Sequence, residues 1–333
     1  MSEQLDARLK LVTETGIAPE NGFYVTSIYP IEVRVNGQWL LVKNQRMDAT
    51  IVVIKTATSF VPECKILRDL QIGELVVIGS NGVRELQKHA TQEHEEFSFM
   101  SADVSSERRV ELVVKQLAQK LSQIRDEDGK VVVVAGPVII HTGAGGYLAW
   151  LIRSGYVQAL LGGNAIAVHD IEQNLLGTSL GVDLEKGVGV QGGHRHHLQA
   201  INQIRQCGST ARAVELGILK SGVMYECVTQ GIPYCLAGSI RDDGPLPETE
   251  MDLIKAQTEY ARLLQGASMV LMLSSMLHSI AVGNMTPAGV EMICVDINPS
   301  VVTKLSDRGS LESLGVVTDV GLFLSLLVRY LDK

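Results

Sequence analysis

The spacing of apolar residues changes along the chain near residue 130. Between residues 23 and 85, apolar and polar positions alternate, which is typical of half-buried β-strands. Asn36-Gly37 separates two such runs, 31–35 and 38–42, and supplies the two positive φ angles that a type I′ hairpin turn needs. Two further strands are predicted at 49–55 and 74–79. The alternation therefore predicts a small β domain.

The residues on either side of this β domain have other patterns. Residues 1–20 are a polar lead-in with a helical pattern, and residues 86–107 are a polar connector. Apolar residues then recur at helical spacing, which predicts a helix at 106–124. We therefore predict a lead-in at 1–20, a β-rich domain at 21–105 and a larger domain at 106–333.

Beyond residue 130, short apolar runs alternate with helical patterns. Six strands are predicted at 131–135, 157–161, 233–236, 268–273, 291–295 and 315–317. Helices are predicted at 146–154, 164–175, 194–206, 209–229, 248–265, 298–306 and 320–331. The strand candidates are apolar at successive positions, as expected for a parallel sheet covered on both faces. This pattern favours an α/β fold with a Rossmann-like doubly wound parallel sheet.

Two runs in this part of the chain, 131–152 and 263–290, contain no charged residue and are long enough to cross a membrane. Both also contain polar groups and helix breakers that hydrocarbon would leave unsatisfied. We interpret each run as a buried strand–loop–helix unit. Charged residues make up about 27% of residues 1–130 and about 15% of residues 131–333, which fits a buried sheet in the second part.

Composition excludes several classes of protein. An apolar fraction of 46% supports a packed core and argues against disorder. The net charge of −8, without a basic stripe, argues against nucleic-acid binding. The five cysteines form no C-x-x-C pair, so we expect core residues rather than disulfides or a zinc site. The first residues show no signal-peptide pattern, so we expect a cytoplasmic protein.

Ligands of open parallel sheets bind beyond the carboxyl ends of the strands, so the residues that follow each predicted strand are candidates. These segments are rich in glycine and polar groups: 136–146, 162–165, 238–247, 274–278, Asp296 and Asp319. Glycines there would let backbone N–H groups approach a pyrophosphate, and carboxylates would accept hydrogen bonds from ribose hydroxyls. Tight turns and helix capping are the alternative interpretations.

Two other features could carry chemistry. Lys220 lies in a charge-poor region, where desolvation would make it a base, and a surface lysine is the alternative. His194, His196 and His197 are near neighbours, but adjacent residues on a helix diverge by about 100° and cannot all face one ion. We therefore predict no metal site and expect one of these histidines to meet the ligand.

Longer motifs resemble a known family. They lie at 23–27, 47–48, 99–106, 163–170, 192–197, 219–227, 237–247, 276–284 and 295–299. Together they resemble the archaeal-type NAD-dependent ornithine cyclodeaminase family, which carries the LOR/SDH bifunctional enzyme conserved region. The same module forms the C-terminal half of cyanobacterial arginine dihydrolase/ornithine cyclodeaminase proteins. The resemblance runs from Asn21 to the C-terminus, whereas archaeal members carry a further N-terminal region.

The resemblance implies a fold and a set of NAD contacts. The fold would be a Rossmann-like NAD-binding domain similar to that of deoxyhypusine synthase, preceded by the small β domain. The implied contacts are Asn164, Ala165, Asp243, Ser275, Met276, Leu277, His278, Asp296, Asp319 and Val320. Most of these residues are also the strand-end residues identified above from the sheet pattern alone.

The implied reaction converts ornithine to proline and ammonia, with NAD as a recycled hydride carrier. Such chemistry needs a cation for the α-carboxylate, an acidic residue for the distal ammonium, and a group that alternates between base and acid. The candidates are, in that order, Arg241 or Arg195, Asp242 or Asp170, and Lys220 or His141. The sequence leaves these choices open.

Two other functions also fit the sequence. One is a different NAD-dependent amino-acid dehydrogenase of the saccharopine or opine type. The other is a non-catalytic NAD-binding regulatory module. In each case we expect a small amino-acid ligand, no nucleic-acid or membrane partner, and a homo-oligomer, which is usual for such folds.

Overall fold

The computed structural model describes residues 5–19, 22–27, 29–86, 106–183, 188–190, 193–242, 244–308 and 313–332. The chain divides into two compact units. The first comprises Met1–Ala102, Asn284–Val290 and Arg308–Glu312, and the second Asp103–Gly283, Glu291–Asp307 and Ser313–Lys333. The predicted connector, 86–107, lies mostly outside the described residues. The predicted domain boundary at its end therefore stays a prediction.

The first unit consists of short antiparallel strands. These are β1 (Arg8–Leu11), β2 (Ile31–Val35), β3 (Gln38–Leu41), β4 (Thr50–Lys55), β5 (Phe60–Lys65), β6 (Leu75–Ile78) and β7 (Val83–Glu85). They form two sheets, ordered β1-β6-β4-β5 and β3-β2-β7. Asn36 and Gly37 have φ angles of 49° and 77°, which confirms the predicted hairpin turn between β2 and β3.

The helical pattern predicted for residues 1–20 is wrong. Residues 8–11 form β1, which pairs antiparallel with β6 from Arg8 opposite Ile78 to Leu11 opposite Leu75. The short Arg-Leu-Lys-Leu run fits both a helical and an alternating period. It forms a strand because it pairs with the edge of β6. β5, which the sequence analysis did not predict, is an edge strand, and an edge position tolerates its Pro62.

The second unit alternates strands and helices. Its first half contains α1 (Ser106–Asp126), β8 (Val131–Ala135), α2 (Val138–His141), α3 (Gly145–Arg153), β9 (Ala159–Gly163), α4 (Asn164–Leu176), β10 (Thr178–Ser179), β11 (Val182–Asp183) and β12 (Val188–Gly189). Its second half contains α5 (His196–Cys207), α6 (Thr210–Glu215), α7 (Val223–Thr229), β13 (Tyr234–Ala237), β14 (Thr249–Glu250), α8 (Leu253–Leu264), β15 (Met269–Leu273), α9 (Met276–Met285), β16 (Glu291–Asp296), α10 (Pro299–Arg308), β17 (Ser313–Val317) and α11 (Val320–Leu331).

Within the described residues, the main sheet is parallel throughout and has the order β14-β13-β9-β8-β15-β16-β17. The six predicted strands are all present, and their spatial order is third, second, first, fourth, fifth and sixth in the chain. This is the order of the doubly wound dinucleotide-binding fold, so the predicted fold class is confirmed. Every residue of β8 and β15 is buried, as expected for central strands covered on both faces.

Two predicted helices are wrong in part. The pattern at 248–265 predicts a single helix, but residues 249–250 form β14 of the main sheet and α8 begins at Leu253. The pattern at 209–229 predicts a continuous helix, but the structure has two helices, α6 and α7, separated by a loop. The loop ends at Gly222, whose φ of 104° lies outside the range that continues a helix and that other residues adopt easily. α2, α9 and the small sheet β10-β11-β12 are also present, and the sequence analysis placed loops or long connections there.

Both uncharged runs form the expected strand–loop–helix units. Val131 to Ile152 spans β8, α2 and most of α3, and the run 263–290 contains β15 and α9. Across the described residues, none of the helices is both long enough and apolar enough to cross a membrane. Lack of charge in the first run and in residues 263–283 therefore reflects burial within the second unit, and residues 284–290 belong to the first unit.

Candidate dinucleotide site

The carboxyl ends of the parallel strands form one continuous edge of the main sheet. Ala135 at the end of β8 pairs with Gly162 of β9 on one side and with Leu273 of β15 on the other. Val295 of β16 pairs with Leu273, so this strand ends at the same level. The strand order reverses between β8 and β15. In such sheets, the crevice at this reversal binds the ligand.

The loops that follow β8 and β15 approach each other closely at this reversal. The amide of Gly136 donates to Leu273 O at 2.9 Å. A Cβ at Gly136 would collide with the backbone of Ser274, so a residue with a side chain would separate the two loops. Ser274 itself has a φ of 47°, an uncommon value for a residue other than glycine. The crevice is therefore narrow and its backbone is held in a specific conformation.

In the described residues, several helices begin after strand ends at this edge with at most two residues between, and three of them carry predicted NAD contacts: α4 after β9, α9 after β15 and α11 after β17. Nine of the ten residues predicted to contact NAD lie at these helix N-termini or at the end of β16: Asn164, Ala165, Ser275, Met276, Leu277, His278, Asp296, Asp319 and Val320. The tenth, Asp243, lies outside the described residues. Helix N-termini present unpaired N–H groups and a partial positive charge, which suit an anionic ligand.

Asn164 organises the loop that follows β13. Its side-chain oxygen accepts hydrogen bonds from Leu246 N at 3.1 Å and from Thr249 Oγ1 at 2.9 Å. Its side-chain nitrogen lies 3.5 Å from Oδ1 of Asp242. The other carboxylate oxygen of Asp242 accepts a hydrogen bond from Ser239 N at 2.7 Å. Asn164 and Asp242 are therefore brought together at the ends of β9 and β13.

His278 lies against the end of β9. The Tyr260 hydroxyl donates to Gly162 O at 2.6 Å and lies 3.1 Å from Nδ1 of His278. Because the hydroxyl proton goes to the carbonyl, Nδ1–H of His278 must donate to the hydroxyl oxygen. Nε2 of His278 lies 2.8 Å from the position that a Cβ of Gly163 would take. Burial lowers the pKa of His278, and the charge of Asp242 partly opposes this effect.

Two further carboxylates lie at the ends of β16 and β17. Oδ1 of Asp296 accepts a hydrogen bond from Asn298 N at 2.8 Å, and the side chain is 9% exposed. Asp319 caps α11, since its Oδ1 accepts a hydrogen bond from Leu322 N at 2.9 Å. A helix-capping role for Asp319 is therefore present in the structure. NAD contacts by either carboxylate stay a prediction.

The four residues predicted to act in catalysis occupy different environments. Asp242 and His141 are half-buried, and both follow strands of the main sheet. Arg241 is adjacent to Asp242, but its side chain is exposed. Lys220 lies in the loop between α6 and α7 with an exposed side chain. Of the two interpretations of Lys220, the exposed side chain agrees with a surface lysine and not with a desolvated base.

Asp170 does not present its carboxylate to a ligand. The residue is 1% exposed, and its two oxygens accept hydrogen bonds from Val223 N and Met224 N, both at 2.8 Å. These amides are the first two of α7, so Asp170 holds the N-terminus of that helix. Burial raises the pKa of Asp170 to about 6, although the hydrogen bonds act in the opposite direction. Asp242 is thus the better placed of the two acidic candidates.

The histidines and cysteines form no metal centre in the part of the chain that the structure describes. Arg195, the other candidate cation, is exposed at the start of α5, next to His196. Cys64, Cys227, Cys235 and Cys294 are buried and unpaired, which confirms the predicted core position for these four. Cys207 is only half-buried. Burial raises the pKa of the Cys64 thiol to about 11, so that thiol is unreactive at neutral pH.

Several site residues were not found by sequence reasoning. Tyr260 comes from the middle of α8, and Glu172, Thr178 and Ser179 come from α4 and β10. None of them follows a strand of the main sheet, and the isolated polar residues of a helix are usually solvent-facing. Only the low charge density of this part of the chain marks Glu172 as unusual.

A doubly wound sheet whose carboxyl edge carries three helix N-termini and two carboxylates defines a Rossmann-fold protein with a candidate dinucleotide site. Two family models describe the chain. The Rossmann fold of the ArgZ-like arginine dihydrolase C-terminal part matches residues 115–327, and the first region of that C-terminal part matches residues 30–114. The chain belongs to this family, which confirms the resemblance found from the sequence motifs.

Relatives of this family are known from bacteria and archaea. The bifunctional arginine dihydrolase/ornithine cyclodeaminase AgrE of a Nostoc species is 66% identical over 99% of this chain and 47% of its own length. The chain thus spans about half the length of this relative. The ornithine cyclodeaminase of Methanocaldococcus jannaschii is 54% identical over 95% of this chain and 76% of its own length.

Solved structures have the same fold. A conserved LOR/SDH protein of Methanococcus maripaludis superposes with a TM-score of 0.92, at 45% identity and over 98% of both chains. AgrE in a ternary complex with ornithine and NAD+ superposes with a TM-score of 0.67, at 65% identity. That match covers 99% of this chain and 46% of AgrE.

Proposed function

We propose that the chain is an NAD-dependent ornithine cyclodeaminase, which converts L-ornithine to L-proline and ammonia. The observation that carries the proposal is the placement of nine predicted NAD contacts along one edge of the doubly wound sheet. Archaeal relatives that bear this activity in their names support it, as does the ornithine and NAD+ complex of AgrE. The expected cytoplasmic location and homo-oligomeric state stay predictions.

The chemistry of the edge fits NAD. Gly136 and Gly163 let Ser274 and the ring of His278 approach the strand ends, because a Cβ at either glycine would collide with them. Helix N-termini at Asn164, Ser275 and Val320 would face its negative charges. Asp296 and Asp319 would accept hydrogen bonds from ribose hydroxyls. The exposed side chains of Met276 and Leu277 are available to an aromatic ring.

NAD, when bound, would take a hydride from the substrate Cα and return it in the same turnover. The chain's own side chains would hold ornithine and move its protons. Arg241 is an exposed cation next to Asp242, suited to the substrate carboxylate. Asp242, held by Ser239 N, would bind the distal ammonium. His141 would accept and return a proton, because burial lowers its pKa and keeps the ring neutral at physiological pH.

The test is an assay of the purified chain with ornithine and a catalytic amount of NAD+. We expect proline and ammonia in equal amounts and no net accumulation of reduced cofactor. Stoichiometric cofactor reduction with another amino acid would instead identify a dehydrogenase. Tight NAD+ binding without turnover of any amino acid would identify a regulatory module. Either of these two results would overturn the proposal.

A further inference from the structure

Behind His141 lies a connected group of buried polar side chains that the proposed reaction has not used. Its centre is Glu172, which is 0% exposed. The other members come from three elements: His169 on α4, Thr178 and Ser179 on β10, and His196 at the start of α5. We call these five residues the Glu172 network. A fully buried carboxylate is costly unless every oxygen is hydrogen-bonded, so its partners require a detailed account.

Four donors surround the Glu172 carboxylate. Oε1 accepts hydrogen bonds from Thr178 Oγ1 at 2.9 Å and from Gly181 N at 3.1 Å. Oε2 accepts hydrogen bonds from Nδ1 of His169 at 2.9 Å and from Leu180 N at 3.2 Å. Burial opposes ionisation, but the donors outweigh it and hold the pKa of Glu172 below its usual value. The side chain is therefore a carboxylate that can only accept.

The direction of these hydrogen bonds fixes the tautomers of two histidines. Because Glu172 only accepts, His169 must carry a proton on Nδ1. Thr178 donates its single hydroxyl proton to Glu172. Its oxygen must therefore accept a hydrogen bond from Nδ1 of His196, which lies 2.7 Å away. His196 therefore also carries a proton on Nδ1. In the neutral state, each ring then has an acceptor at Nε2.

The network continues to His141. The rings of His141 and His169 lie edge to face, with centroids 4.8 Å apart and an interplanar angle of 62°. Nδ1 of His141 shares a hydrogen bond of 2.7 Å with Oγ of Ser179. The next residue, Thr142, lies close to Gly321 at the start of α11, so His141 is at the ligand-binding edge. Two members of the network thus hold the ring of His141 in place.

The charges of the neighbouring network residues also shift the pKa of His141. Burial and the neighbouring His169 lower the pKa of His141, whereas the negative charge of Glu172 raises it. Other titratable groups on the elements around this end of α2 include Asp170 on α4, Asp319 at the start of α11, and His196 on α5. Among these groups, Glu172 is the buried carboxylate that is hydrogen-bonded to a ring in contact with His141.

We propose that Glu172 is a positioning residue for proton transfer at His141. It fixes the tautomers of His169 and His196, holds β10 so that Ser179 orients His141, and stabilises the imidazolium that forms when His141 accepts a proton. This role rests on the proposed function for its catalytic meaning. The tautomers themselves can be tested without any activity.

The first test is a ¹H–¹⁵N correlation spectrum of the full chain labelled at histidine nitrogen, compared between the native chain and Glu172→Gln. We expect Nδ1–H tautomers for His169 and His196 in the native chain. A glutamine amide must face either His169 or Thr178, so at least one histidine must become Nε2–H in the variant. Nε2–H tautomers in the native chain, or unchanged tautomers in a folded variant, would overturn the proposal.

Glu226→Gln is the matched control. Glu226 is also buried and paired, since its Oε1 lies 3.0 Å from Nη1 of Arg153, but it lies on α7 outside the Glu172 network. Its substitution removes a buried carboxylate without touching the histidines. We expect unchanged tautomers in this variant. A change as large as that in Glu172→Gln would assign the effect to general loosening and contradict the proposal.

Thr178→Val keeps the test decisive if Glu172→Gln does not fold. Valine has nearly the shape of threonine but lacks the hydroxyl between Glu172 and His196. We expect His196 to lose its preference for the Nδ1–H tautomer, whereas His169 keeps its proton on Nδ1. Loss of the His169 tautomer alone, or no change in either ring, would contradict the hydrogen-bond directions derived above.

The catalytic part is tested by the pH dependence of kcat/KM for ornithine. Removing the charge of Glu172 lowers the pKa of His141, so the acid limb should move to lower pH by about one pH unit, with kcat/KM reduced roughly tenfold or more. An unmoved acid limb would contradict the role in proton transfer. If the native chain does not convert ornithine at all, the proposed function fails, and the spectra still decide the tautomers.

Discussion

Buried carboxylates of the second unit differ in what they hold. Asp170 accepts the first two amides of α7, Glu172 binds two side chains and two amides near β10, and Asp296 closes the turn after β16. Both carboxylate oxygens of Asp170 thus accept hydrogen bonds from backbone amides. Asp296 lies at the ligand-binding edge, where its Oδ1 accepts a hydrogen bond from Asn298 N. The residue type alone does not distinguish these roles, and the hydrogen-bond partners do.

Asp170→Asn should destabilise the second unit. The amide group of asparagine would direct N–H toward Val223 N or Met224 N, leaving a buried donor unpaired at a cost of about 1–3 kcal/mol. Urea unfolding measures this loss. Asp252→Asn is the control, because Asp252 is an exposed N-cap of α8 and asparagine caps equally well.

The difference in stability between the native chain and Asp170→Asn should depend on pH, and the raised pKa of Asp170 sets its sign. The pKa of Asp170 is raised to about 6 in the folded state, above its unfolded value, so the folded chain binds this proton more tightly. Its contribution is fully present below the unfolded pKa and is lost as pH rises through 6. The native chain should therefore gain about 1 kcal/mol over Asp170→Asn at pH 5 relative to pH 7. An equal difference at both pH values would contradict the raised pKa.

Asp296→Asn should weaken NAD+ binding about tenfold or more. The variant keeps an oxygen for Asn298 N but loses the charge that strengthens a hydrogen bond from a ribose hydroxyl. Isothermal titration with NAD+ measures the change, with Asp252→Asn as the control away from this edge. Equal affinities of the native chain and Asp296→Asn would remove Asp296 from the ribose role.

At the scale of elements, six of the seven described strands of the main sheet were predictable, whereas the two-residue strand β14 and the short helices were not. The six strands are runs of largely apolar residues, as expected for a parallel sheet covered on both faces. α2 is a four-residue helix, too short for any periodic signal. The apolar period continues from α6 through the loop to α7, so the sequence pattern predicts one helix. The positive φ of Gly222 in that loop interrupts it. The NAD candidates follow strand ends and could be predicted from the sequence pattern. The Glu172 network could not, because it depends on tertiary contacts.

Gly136→Ala should disturb the crevice between β8 and β15. The added Cβ would meet the backbone of Ser274, and backbone cannot rotate away as a side chain can. We expect a loss of about 1–3 kcal/mol in stability and weaker NAD+ binding, measured by urea unfolding and titration calorimetry. Gly146→Ala is the matched control, because its Cβ would meet nothing within 4 Å and alanine favours the helix α3. Similar effects in both variants would contradict the close approach.

At the scale of the molecule, the reversal of strand order brings distant parts of the chain to one edge. Asn164 and Asp319 are 155 positions apart in the sequence. Parallel register nevertheless places them, with Ser275 and Asp296, at strand ends or helix starts on the same edge. The sequence pattern predicted this fold and these positions. It did not predict which proton-transfer candidate is desolvated, because that depends on the loop at Lys220 and the packing around His141.

The most direct measurement is the fate of deuterium at Cα of labelled ornithine. The purified chain is incubated with [2-²H]ornithine and a catalytic amount of NAD+, and proline is analysed by mass spectrometry. We predict proline and ammonia in equal amounts with deuterium retained at Cα of proline, because the hydrogen that leaves this carbon returns to it. Absence of proline, or proline whose Cα deuterium is replaced by solvent hydrogen, would contradict the account.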